Sequence, residues 1–194
     1  MGRENEWKIV TYKQSKDAAE KWDSGCITGH HVIPDHCFMY APGVRGAKGG
    51  ALNVPGAEAY SEDDAPVILL TADDFGSTHL YMHSAVHAEY DPVEAAWVEA
   101  GNTKWTYAQA RDAGVTSVLK AQAKYAVKNG WTRAALTAVL DAYYVDELGL
   151  DVATWLRAGF KASPDLVKPR EGMRSGGKAP SAMKGKAVGY HPYK

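Results

Sequence analysis

The sequence has few of the features that identify membrane, disulfide-rich or strongly charged proteins. Its 194 residues include only two cysteines, Cys26 and Cys37, which are too few for a disulfide framework. One bridge between them is possible, but we expect free thiols. No apolar run approaches the ~20 residues of a membrane-spanning helix. The N-terminal segment is polar and lacks the basic start and apolar centre of a signal peptide, so we expect no Sec-dependent export.

An excess of charge of one sign is also missing, because 22 Lys and Arg residues nearly balance 23 Asp and Glu residues and the net charge is −1. A protein without a global positive field attracts nucleic acid only through local basic patches. One such patch is the C-terminal stretch, where residues 168–194 hold seven Lys or Arg residues and one acid. Interleaved Gly and Pro residues predict that this tail is extended or disordered.

The first ninety or so residues are predicted to form a strand–loop–strand–helix unit. Residues 7–12 and 15–22 indicate a short strand and a short helix, and a later apolar strand should end at Pro34, which has no N–H to donate. A loop rich in Gly and Pro covers residues 41–61. The apolar run 66–71 then predicts a buried strand. A helix over residues 79–90 completes the order of a ββα unit.

From Asp91 onward the apolar spacing predicts helices throughout. Pro92 suits the first turn of a new helix, so a helix boundary is predicted there. The predicted helices cover residues 93–100, 107–128, 132–147 and, as a short piece, 152–160. The expected fold class is α+β, with a ββα core at 1–91, a helical subdomain at 92–162 and a basic tail at 163–194.

Six of the seven histidines fall between positions 30 and 87. His79 and His83 stand at i, i+4 spacing, which puts both imidazoles on one helix face within reach of one ion, and His87 extends that face. His30 and His31 are adjacent on an extended segment, so their side chains point to opposite faces. One of them could ligate an ion while the other, with an ordinary pKa of ~6.5, takes a proton from water. Histidines in both patterns also occur as core or surface residues that bind no ion.

Taken together, these residues resemble a nuclease family. The run Gly29-His30-His31-Val32-Ile33-Pro34, a variable loop, the apolar strand 67–71 and His79-x3-His83 are similar to the HNH/endonuclease VII (ββα-metal) nucleases. The similarity is greatest to the GHH-type toxin nucleases of bacterial polymorphic toxins and type VI secretion effectors. It covers residues 24–90. Each motif is short and moderately specific, whereas their order and spacing make the combination much more specific.

The resemblance implies a metal-dependent endonuclease that hydrolyses phosphodiester bonds of nucleic acid, with DNA favoured. In it, His31 has the position of the general base, and His30, His79 and His83 have those of the ligands of one divalent metal ion. The ion would polarise the scissile phosphate and stabilise the leaving oxygen. Imidazole ligands suit zinc or nickel, and the family resemblance leaves magnesium or manganese open.

The sequence departs from the family pattern in the middle of the unit. The Asn that orients the base is missing from its place before the second strand, where residues 64–66 are Asp, Ala and Pro. Asn53 could supply that function from farther away. His36 and His87 are additional histidines, and either could replace a nominated ligand.

The resemblance also implies partners and a place of action. The expected role is that of an antibacterial toxin, secreted without a Sec signal peptide and active in the target-cell cytoplasm. Its expected partners are nucleic acid, a cognate immunity protein and a secretion-apparatus or carrier protein, with no membrane. Arg45 and Lys48 are candidate phosphate-binding residues.

Two other functional hypotheses remain open at this point. The first is a non-catalytic helical interaction module in which the histidines hold a structural zinc ion. A closed four-ligand site would favour that module, and an open coordination position would favour catalysis. The second is a Cys–His hydrolase using Cys26 or Cys37, which is weaker because no pattern around either cysteine indicates an activating base.

Overall fold

A computed structural model describes residues 6–21, 27–39, 53–71 and 82–159, in which a three-stranded antiparallel sheet holds the N-terminal part together. Strands β1 (Ile9–Thr11), β2 (Ile27–His31) and β3 (Pro66–Thr71) lie in the order β1-β3-β2. Five of the six residues of the central strand β3 are buried, as its continuous apolar sequence predicted. Pro66 is tolerated because it is the first residue of its strand. Helices and strands together confirm the α+β class.

A Thr-x-x-Gln pattern starts two helices directly after a strand. At the start of α1 (Tyr12–Lys21), the Gln14 N–H donates to Thr11 Oγ1 at 3.2 Å and the Thr11 N–H donates to Gln14 Oε1 at 3.0 Å. Thr106 and Gln109 form the same capping box at the start of α3 (Tyr107–Lys124). Because the box satisfies free N–H groups of the first turn, α1 begins three residues before the predicted start at residue 15.

The helix after β3 continues through a proline. α2 (Met82–Glu99) contains Pro92, where the sequence predicted a boundary between two helices, so that prediction was wrong. Pro92 cannot donate to the carbonyl of Ala88, but both residues are exposed and water can hydrate that carbonyl. Tyr90 and Glu94 are buried on either side of Pro92, which keeps both halves of the helix packed against the core.

Two short strands interrupt the region that was predicted to be helical throughout. β4 (Lys104–Thr106) pairs antiparallel with β5 (Trp155–Arg157), and Trp105 lies opposite Leu156. Between them follow α3, α4 (Arg133–Asp141) and a π-helical segment at Ala142–Glu147. The expectation of a purely helical segment over residues 92–162 is therefore corrected. Three-residue strands are too short to show a period of two, and their pairing joins segments far apart in the sequence.

One hydrophobic core extends from Trp7 to Ala158 through the described residues. Both predicted domains contribute to it, and the indole N–H of Trp131 donates to the Trp7 carbonyl at 2.7 Å. The division of the chain at residue 91 stays a prediction, and the predicted tail at 163–194 lies outside the described residues. Within the described ranges, no helix combines the length and apolar character needed to cross a membrane.

Candidate metal centre

Three imidazoles from two elements of the fold converge on one point. His30 lies on β2, and His83 and His87 lie in the first two turns of α2. The ring centroids are 5.2 Å apart for His30 and His83, 4.9 Å for His30 and His87, and 4.7 Å for His83 and His87. One ring nitrogen from each residue lies within 4.8 Å of the other two. Since zinc binds imidazole at about 2.0–2.1 Å, the three rings need only small rotations to share one ion.

Local geometry explains why these rings meet. His83 and His87 are one helical turn apart on α2, so they project from the same face. His30 points from β2 towards that face, whereas the neighbouring His31 packs its ring against Tyr12 on the other side, with centroids 4.7 Å apart. The prediction that His30 and His31 point to opposite faces is confirmed.

Burial makes His30 a suitable neutral ligand. The side chain is only 5% exposed. Burial and the nearby His87, His83 and His31 lower the pKa of His30 well below its ordinary value of 6.5, so the ring is neutral at pH 7. A neutral imidazole has a free lone pair for a transition metal such as zinc or nickel. The donor set therefore fits an ion of this class.

The centre is closed on the side of the sheet and open on the side of the helix. In contrast to buried His30, the His87 side chain is 41% exposed, and His83 is half-buried. Among the described residues the cluster contains three metal-ligating side chains. Three protein ligands with solvent access are typical of catalytic metal sites, whereas structural zinc sites usually have four protein ligands.

Asp91 orients one of these ligands. Its Oδ1 lies 3.2 Å from His87 Nδ1, one helical turn away. A carboxylate in that position favours the tautomer with hydrogen on Nδ1, which leaves Nε2 to bind an ion. The sequence analysis did not identify Asp91, although its i, i+4 spacing from His87 is a visible signal.

We expect Asp91→Ala to weaken metal binding about tenfold, at the lower end of the 10- to 100-fold range for such partners, because Asp91 is exposed. Competition with a chromophoric chelator measures the affinity. Asp112→Ala removes an exposed aspartate on α3 that pairs with Arg111, and serves as the control. Equal affinities of the two variants would exclude an orienting role for Asp91.

Several nominated site residues lie outside the described residues. His79 is one of them, so its role as a ligand stays a prediction. Arg45 and Lys48, the candidate phosphate-binding residues, also lie there. Within the described residues the helical pair at the centre is His83 with His87, and His87 was named from the sequence as a possible substitute ligand.

His31 and Asn53 are described, and neither belongs to the three-imidazole cluster. The ring nitrogens of His31 are buried, and its ring is close enough to influence the charge of His30. Its role as general base stays a prediction. The Asn53 amide donates to the Tyr60 carbonyl at 2.9 Å, which ties together the chain segment before β3.

His36 lies apart from the three imidazoles, in a 3-10 turn at Asp35–Phe38. Its Nε2 is 2.8 Å from Glu94 Oε1 on α2. Burial alone would lower the pKa of His36, but Cys37 and Glu94 reverse this effect and raise that pKa to about 10. His36, Cys37 and Glu94 form a second group of potential metal ligands, with ligand atoms within 4.8 Å of one another.

Comparison with known proteins identifies no relative: no family model matches the chain, and no curated protein or solved structure matches it.

Proposed function

We propose that this protein is a metal-dependent endonuclease that hydrolyses phosphodiester bonds of nucleic acid, with DNA as the favoured substrate. The observation that carries the proposal is the meeting of His30 with His83 and His87 in a cluster that is open on one side. The sequence resemblance required ligands from an early strand and from one turn of a later helix. His30 and His83 of that set lie in the cluster, which supports the proposal, and His79 lies outside the described residues.

The order of elements around the cluster gives further support for a ββα-metal core. β2 and β3 form an antiparallel pair, with His30 opposite Ile68, and α2 is the next described element. The first two turns of α2 carry the other two imidazoles. In this arrangement the strand pair supplies His30 and the helix supplies His83 and His87.

The residues of the chain have distinct proposed tasks. His30, His83 and His87 hold the ion, and Asp91 orients His87. A bound divalent ion supplies Lewis-acid stabilisation of the negative charge that develops on the phosphate and the leaving oxygen. His31 is the proposed acceptor of the proton of the attacking water. Its buried ring lies on the face of β2 opposite the cluster, so this role requires the water to reach that face when substrate binds.

The role as an antibacterial toxin is part of the proposal and is supported by the sequence resemblance alone. The proposed toxin role has two protein partners: an immunity protein that neutralises the nuclease in the producing cell, and a carrier protein that delivers the nuclease. Among the described residues the cluster has three potential ligands, which supports the enzyme, whereas a structural zinc site would need a fourth protein ligand. His79, a nominated ligand, lies outside the described residues.

Cleavage of supercoiled plasmid DNA by the purified protein tests the proposal. We expect nicking and linearisation with a divalent ion such as Mn²⁺, Mg²⁺, Zn²⁺ or Ni²⁺, and none with EDTA. The double variant His83→Ala/His87→Ala should lose both the ion and the cleavage, because His30 is left as the single described ligand. Glu99→Ala, an exposed change at the far end of α2, is the matched control. Cleavage that survives EDTA and the double variant would refute the proposal.

A further inference from the structure

A second cluster of ligand-type side chains lies beneath the middle of α2. His36 and Cys37 come from the 3-10 turn that follows β2, and Glu94 comes from α2. Cys37 is fully buried, and the side chains of His36 and Glu94 are 14% and 7% exposed. Thiolate, imidazole and carboxylate are the three ligand types that zinc uses in proteins. A group of all three within 4.8 Å is therefore a candidate site in its own right.

The three side chains are held in place by the surrounding backbone. Glu94 Oε1 accepts hydrogen bonds from the Gly159 N–H at 2.9 Å and from His36 Nε2 at 2.8 Å. Among the described residues, its second oxygen accepts none. Cys37 Sγ lies 3.9 Å from the Tyr90 hydroxyl, a weak contact, and also interacts with the neighbouring His36 side chain. Each ligand atom could therefore turn to a common ion without unfolding an element.

This cluster is separate from the three-imidazole centre. His87 and Glu94 are seven residues apart on one helix, which corresponds to about 10 Å along the axis. Ions in binuclear catalytic sites are about 3.5–4 Å apart, so the two clusters cannot form one such site.

We propose that His36, Cys37 and Glu94 form a second metal site, which takes zinc or another thiophilic divalent ion. This proposal does not depend on the nuclease activity. The ion would join the turn that follows the His30 and His31 strand to the helix that carries His83 and His87. Its place in the fold indicates a structural role.

The charges of the cluster are compatible with an ion. The buried guanidinium of Arg157 donates from Nε to the His36 carbonyl at 3.0 Å, and its charge lies near Asp35, Cys37 and Glu94. A divalent ion held by the Cys37 thiolate and the Glu94 carboxylate would have its two charges balanced by its own ligands, and Asp35 lies near Arg157. The buried cluster would then contain no uncompensated charge.

Titration of metal-free protein with Co²⁺ tests the second site. We expect two equivalents bound per chain and a near-ultraviolet thiolate-to-cobalt charge-transfer band, which an all-imidazole centre cannot produce. Cys37→Ser and Glu94→Gln should each lose one equivalent, and Cys37→Ser should also lose the band. The double variant His83→Ala/His87→Ala should keep the band and lose the other equivalent. Cys26→Ser, which changes the second cysteine, is the matched control and should keep the band.

A single equivalent without a charge-transfer band would overturn the proposal and leave His36 and Glu94 as a buried ion pair beside an inert thiol. A band that persists in Cys37→Ser or disappears in Cys26→Ser would also overturn it. If Cys37→Ser fails to fold, the band and stoichiometry of the unaltered protein and of Glu94→Gln decide. Loss of nuclease activity plays no part in these outcomes, so this test and that of the proposed function can fail separately.

Discussion

Replacement of His31 by alanine is expected to reduce plasmid cleavage by about 10²- to 10⁴-fold, the range for loss of a positioned general base. The amount of bound metal should stay the same, because His31 projects from the face of β2 opposite the three-imidazole cluster. Loss of activity with the metal retained distinguishes a general base from a metal ligand, because loss of a ligand would reduce both. Initial cleavage rates at saturating metal and metal analysis of the same preparations measure both quantities.

His30→Ala is the matched comparison, since it changes the adjacent residue on the same strand. It should lose metal and activity together, because His30 is the buried ligand from β2. Cleavage by His31→Ala at the wild-type rate would show that another group takes the proton. His31 would then be a packing residue against Tyr12. Circular dichroism establishes that both variants are folded.

The second large effect is expected from Gly114→Ala, which should destabilise the protein by about 3 kcal/mol. In most helix interiors the same change stabilises by up to about 1 kcal/mol. Here a Cβ would overlap the carbonyl oxygen of Val32 and lie 2.9 Å from its carbonyl carbon. Because the obstacle is backbone, no rotamer change relieves the contact and α3 must move away from the chain beyond β2. Overpacking of this kind typically costs about 1–3 kcal/mol, and an unyielding neighbour places the cost at the upper end.

Urea unfolding followed by circular dichroism measures this effect as a change in the free energy of unfolding. Ala123→Gly, at an exposed position of the same helix, is the control and should cost up to about 1 kcal/mol from helix propensity alone. Val32 follows His31 directly, so Gly114→Ala should also reduce cleavage if folded protein is obtained. A gain in stability on Gly114→Ala would contradict the close packing of α3 against Val32.

The sequence by itself determined those elements whose signal is local. The apolar run at 66–71 predicted β3 with the bounds that the structure has, because a central strand is buried on both faces. The adjacent positions of His30 and His31 predicted their opposite faces. The i, i+4 relation of His79 and His83, on a face that His87 extends, predicted one centre on the helix, and His83 and His87 are the described members of it. Each of these inferences depends only on residues that are close in the sequence, within about one helical turn or a few positions along a strand.

The tertiary structure alone decided what distant segments do to one another. Packing of Tyr90 and Glu94 against the core keeps α2 continuous through Pro92, against the local preference of that residue. The pairing of β4 with β5 and the meeting of His36 with Glu94 join residues 49 to 58 positions apart, and no local pattern specifies such partners. The physical reason is that periodicity and capping act between neighbouring residues. Which of the histidines, carboxylates and thiol meet in one site depends on which helix and strand faces the packing of the core brings together.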